Sequence, residues 1–204
     1  SSLGSYNYEH QKWKVDVTVG GSQKGLMLPP GLSFNAISNK ALEAYKKSKL
    51  SRSYFDWGQM LKNNKDGFYP YTPAVNLLYG LNESINMLLE EGLENVFARH
   101  KRHADATRLA VEAWGLEILA KNPIERSDSI TAILIPEGYD ADNLRKIIYD
   151  NYDMSLGTGL NKVKGKVFRI GHMGDFNDLM LSGTLAGVEM GLKQSGIPFK
   201  PGGI

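Results

Sequence analysis

Lys24 is the residue of this chain best suited to covalent chemistry. It lies in the run Ser22-Gln23-Lys24-Gly25-Leu26-Met27-Leu28, directly ahead of Pro29-Pro30-Gly31. A lysine held among apolar groups can lose its proton and attack a carbonyl as a neutral amine. Gly20, Gly21 and Gly25 let a ligand approach the backbone, while Ser22 and Gln23 offer hydrogen-bonding groups beside the amine. A strand-end lysine can also be a solvated surface cation, and composition alone favours that reading.

The elements around these residues decide what they can reach. Val15, Val17 and Val19 alternate with Asp16 and Thr18, the pattern of a half-buried strand, and Gly20-Gly21 ends it. Lys24 then follows the carboxyl end of a strand, where α/β folds collect ligands. Thr72-Pro73 reads as a helix start, with threonine capping and proline at the first helical position. A capping threonine at a helix amino terminus can hold a phosphate, with Tyr69 three residues earlier as a second contact; packing in an aromatic loop is the other reading of Tyr69. Arg169 sits in Val167-Phe168-Arg169-Ile170, a strand-like run in which a cation needs an anionic partner. Its planar fork suits a carboxylate, and a structural ion pair is the alternative.

Three segments, in order, carry a resemblance: Gly-Ser-Gln-Lys-Gly-Leu-Met-Leu-Pro-Pro-Gly-Leu-Ser-Phe at 21–34, Tyr-Pro-Tyr-Thr-Pro at 69–73, and Phe-Arg-Ile-Gly-His-Met-Gly at 168–174. They resemble the class V pyridoxal-phosphate (PLP) aminotransferases, most of all the serine–glyoxylate aminotransferases. The resemblance implies an α/β protein of PLP-dependent transferase fold type I: the end of the large domain, with connecting helices, over 1–122, and the small C-terminal α/β domain over 123–204. It implies PLP as cofactor, held as a Schiff base by Lys24, with Gln23 and, less strongly, Ser22 near its phosphate. Tyr69 and Thr72 would reach the phosphate of the neighbouring subunit's cofactor, hence a homodimer with shared active sites, and Arg169 would bind the substrate carboxylate. The family's aspartate that pairs with the pyridine nitrogen lies upstream of the segment resembling 1–5, so the chain is expected to need an N-terminal portion of the same enzyme, possibly as a separate chain. A non-catalytic fragment is the corresponding alternative.

Composition narrows the classes further. With 204 residues the chain can bury a substantial core, and a formal charge of +2, with basic residues dispersed among acidic ones, demands neither nucleic acid nor an anionic membrane. No apolar run approaches the roughly 20 residues of a membrane span. The absence of cysteine rules out disulfides and thiolate metal sites, fits a cytoplasmic protein, and removes cysteine desulfurases, which share the superfamily but need a catalytic cysteine.

Along the chain, the patterns predict a second strand over 32–36, a lysine-rich helix over 39–48, a packed aromatic connecting loop over 52–70, and a long helix after Thr72 with apolar positions at Leu77, Leu78, Leu81, Ile85, Leu88 and Leu89. Gly92 breaks that helix, and another runs from about Asn95 to Ala120. Strand and helix then alternate: strands over 130–135 and 166–170, helices over 142–152 and 175–195, with Asp175 and Asp178 as a capping pair. His100 and His103 read as part of a solvated basic face, and His172 as packing near Arg169. The segment 157–166 lacks the spacing of a phosphate loop. The implied reaction is ping-pong transamination, with Lys24 as Schiff-base lysine and general base, between a small amino acid, serine foremost, and glyoxylate; alanine or aspartate as donor, or a PLP lyase of the same fold, are the alternatives.

Overall fold

Val17–Gly21 (β1) and Ser33–Ile37 (β2) pair antiparallel, with Val17 opposite Ile37 and Gly21 opposite Ser33. The computed structural model describes residues 2–204. Within them, chain contacts gather 8–87 into one unit and 2–7 with 88–204 into another. In the first unit the hairpin leads into Asn39–Lys47 (α1), whose cap Ser38 accepts from the Ala41 amide. The stretch expected to be a loop contains a helix, Trp57–Asn64 (α2), started by Asp56 accepting from the Gln59 amide at 3.0 Å. Its aromatic neighbours Phe55, Phe68 and Tyr69 are exposed, so the segment is not packed within this unit. Burial here is confined to Gly20, Ser22, Gly25, Leu28, Ala41 and Ser84. Even the strand valines are open: Val19 is 68% exposed.

The long helix α3 covers Val75–Glu91. It begins later than the sequence suggests. Its first turn closes on Ala74, whose carbonyl accepts from the Leu78 amide at 3.1 Å, so Thr72 does not cap it. Gly92, with φ of 83°, separates it from Leu93–Ala113 (α4). That helix ends seven residues short of the expected Ala120, because Trp114 and Gly115 (φ 74°) turn the chain into a two-residue strand, Glu117–Ile118 (β3).

The second unit is built on an antiparallel sheet of order β3-β4-β6-β5, with Ile130–Leu134 (β4), Gly157–Thr158 (β5) and Val167–Gly171 (β6). Ala141–Tyr152 (α5) and Asp178–Ser195 (α6) supply its helical layer. Asn177, not Asp175, caps α6, accepting from the Met180 amide. Ile133, Phe168 and Ile170 from the sheet meet Leu144, Ile148, Val188 and Leu192 from these helices, with Trp114 in the same core. The helices approach closely at Gly191, where a Cβ would meet Ile148 Cγ1 at 2.2 Å. A helix all of whose sides were polar could not do this; α5 and α6 bury one stripe each. Arg99 of α4 fastens the chain after β6, donating to Glu91 at 2.7 Å and to the carbonyls of Gly174 and Phe176 at 2.8 and 3.0 Å.

Candidate active site

Ser22 organises the Lys24 segment. Its amide donates to Leu32 O and its carbonyl accepts from the Leu28 amide, both at 3.1 Å. Its hydroxyl donates to Pro29 O at 2.7 Å and accepts from the Leu32 amide at 3.2 Å. All four hydrogen-bonding groups of this fully buried residue are therefore used to hold the loop shut. A buried hydroxyl needs such partners, and these leave Ser22 as the loop's clamp with its proton committed. Past it, the Lys24 carbonyl accepts from the Met27 amide at 2.9 Å, and Met27 takes a φ of 62° to close the turn.

The loop rests on α3. Ser84 donates to Leu26 O at 2.5 Å, Leu28 lies 3.3 Å from where a Cβ of Gly80 would stand, and Gly31 meets Leu77. Positions 77, 80 and 84 recur on one helical face. The sequence reading took that face from its leucines and missed Gly80 and Ser84. Both are the residues that let the loop sit close, but nothing in their local pattern sets them apart.

Lys24 itself is exposed. The apolar surroundings expected of it are not supplied by its own unit, since the segment turns outward between Ser22 and Leu28. Among the described residues no hydrogen bond or ion pair engages its Nζ, and none engages the side chains of Gln23, Tyr69 or Thr72. Gln23 folds back so that its Oε1 lies 2.8 Å from where a Cβ of Gly21 would be. Tyr69 is exposed, in the same unit. An amine with no counter-ion, an amide and two free hydroxyls are donors suited to an aldehyde that carries a phosphate. The residues present fit PLP.

Arg169 belongs to the other unit. It lies on β6 between Ala132 of β4 and Gly157 of β5, on the sheet face opposite the buried Phe168 and Ile170. Its Nε is buried without a partner, and no ion pair engages the guanidinium among the described residues. Among the described residues the Arg169 cation therefore has no anionic partner.

The histidines differ from the sequence reading. His100 and His103 are fully buried, not a solvated face. The Gly174 amide donates to His100 Nε2 at 3.1 Å, which leaves Nδ1 to donate to Val96 O at 2.7 Å; burial lowers its pKa. His103 Nε2 bonds Asp178 at 2.7 Å. His172 packs as expected, between Thr131 Oγ1 at 3.0 Å and Asp128 O at 3.1 Å, and burial lowers its pKa to about 4. Among the described residues no three potential ligands gather as a metal site, and no helix is long and apolar enough to cross a membrane.

This mixed α/β chain has its structural neighbours among the PLP-dependent fold-type-I aminotransferases. The crystal structure of pyridoxamine–pyruvate aminotransferase from Mesorhizobium loti superposes with a TM-score of 0.90 at 30% identity, over 97% of this chain and 52% of that one. The family profile described as Aminotransferase class-V matches residues 1–169, and the chain belongs to that family. It is 51% identical to the serine–glyoxylate aminotransferase of Methylorubrum extorquens, over 99% of this chain and 52% of that protein. It is 48% identical to the L-aspartate–glyoxylate aminotransferase of Paracoccus denitrificans, over 99% and 51%. The chain thus spans about half the length of the curated relatives it matches.

Proposed function

We propose that the protein carrying this chain is a PLP-dependent aminotransferase that moves an amino group between a small amino acid, serine foremost, and glyoxylate. The observation that carries this reading is the unengaged Lys24 amine on a loop clamped by Ser22, within a chain about half identical to a serine–glyoxylate aminotransferase. The relative that acts on aspartate favours aspartate as the second donor, and exchanging one small donor for another needs only about 1–3 kcal/mol of differential binding.

PLP, when bound, supplies the electron sink that makes the substrate's α-proton acidic. Lys24 Nζ would hold PLP covalently and, with its amine free, would take the proton from the substrate α-carbon, carry it as an ammonium and deliver it to the cofactor's imine carbon. Gln23, and in a homodimer Tyr69 and Thr72 from the neighbouring subunit, hold the phosphate. Arg169 binds and orients the carboxylate common to amino and keto acid, which explains how one site serves both halves of a ping-pong cycle. Residues 1–122 complete the large domain and 123–204 form the small one, with the N-terminal portion of the enzyme as the further component.

The test is borohydride reduction of the full-length protein with PLP, followed by peptide mass spectrometry. The expected result is a phosphopyridoxyl group on the peptide containing Lys24, and amino transfer from serine to glyoxylate that is lost in Lys24→Ala. Label on another lysine, or none, overturns the reading.

A further inference from the structure

We propose that Gly157, fixed by Asp142 and Arg145 of α5, is a positioning residue for the Arg169 guanidinium; this rests on the reading of Arg169 as the carboxylate-binding group. Gly157 stands directly opposite Arg169 in the β5–β6 ladder. A Cβ built on it would lie 3.1 Å from both the Cβ and the Nε of Arg169, closer than side chains normally pack. The Arg169 side chain as far as Nε therefore lies over the bare glycine. Its Nε is shut off from water without an acceptor, which leaves the two terminal nitrogens as the end that can meet a carboxylate.

The shelf is held from the helical layer on both sides of the glycine. Arg145 Nε donates to the carbonyl of Leu156 at 2.8 Å, and Thr158 Oγ1 donates to Asp142 Oδ1 at 2.8 Å. The same carboxylate oxygen accepts from Arg145 Nη1 at 2.8 Å, so the two clamps are one network. A two-residue strand has too few ladder bonds to fix its own place. This network supplies what the ladder lacks, and so sets where the arginine fork rests. Small displacements of an orienting group are costly to a reaction that needs an aligned substrate.

The experiment compares Gly157→Ala, Arg169→Ala and the control Gly183→Ala, a helical position with open space around it, in the full-length PLP-loaded protein. Gly157→Ala is expected to raise KM for amino donor and keto acid alike by about tenfold, with kcat held within about twofold. It should also raise by a similar factor the inhibition constant of propionate, an unreactive carboxylate, without moving the unfolding midpoint. Gly183→Ala should change none of these. If Arg169→Ala weakens propionate and Gly157→Ala does not, the positioning role is overturned while the reading of Arg169 stands. If Arg169→Ala leaves propionate binding unchanged, the parent reading falls. Should Gly157→Ala fail to fold, Asp142→Ala frees Thr158 without adding atoms to the sheet; a rise in KM supports the proposal and an unchanged KM overturns it.

Discussion

Ser22 and Lys24 divide the labour of one short segment: the serine has every polar group engaged, and the lysine's side-chain amine has no partner among the described residues. Removing the Ser22 hydroxyl would strand the Leu32 amide and the Pro29 carbonyl, so Ser22→Ala in the full-length protein should cost about 1–3 kcal/mol of stability, measured by denaturant unfolding. Lys24 stands out in the sequence because glycines and a Pro-Pro-Gly turn surround it. The clamp does not, since its partners lie seven and ten residues away and no local pattern announces them. Arg169 was legible for the opposite reason, a cation among strand apolars, while the bare shelf at Gly157 came only with the register of β5 against β6.

At the level of elements, the ends of β4 and β6 are joined through His172, which bonds Thr131 Oγ1 and the Asp128 carbonyl and stays neutral through burial. Arg108 and His103 nearby disfavour its protonation further, while its bond to the Asp128 carbonyl acts the other way. The folded pKa of about 4 lies below the ordinary 6.5, so the unfolded chain binds the proton first. Stability from this group is complete above pH 6.5 and declines as pH falls towards 4, by roughly 3 kcal/mol in all. Denaturant unfolding of the full-length protein across that range should show the slope, and His172→Gln should flatten it. Long helices and five-residue strands were readable from periodicity. The two-residue strands β3 and β5 carry too few residues for an alternation, and α2 hid behind aromatic residues although Asp56 ahead of Trp57 is a capping signal.

On the scale of the whole molecule, the two units differ in how far they bury themselves. Residues 88–204 carry a continuous core around Trp114 and Phe168. Residues 8–87 bury only Leu28 and Ala41 among their large or aliphatic apolar side chains, far short of what offsets the conformational entropy of ordering such a segment. A segment of residues 8–87 made alone is expected to show no cooperative thermal transition and amide exchange within minutes; a sharp transition would mean that the hairpin and α3 suffice by themselves. Composition could not reveal this contrast, because both units have apolar residues in the expected rhythm and only burial separates them.

The hairpin of β1 and β2 has a further consequence for how such a chain behaves before it is assembled. A two-stranded sheet leaves one edge of each strand without a ladder, and β1 also presents Val17 and Val19 to water. Open edges beside exposed β-branched side chains are templates for another strand. In a segment of residues 8–87 these edges are therefore open to copies of the same strand, a route to aggregation rather than folding.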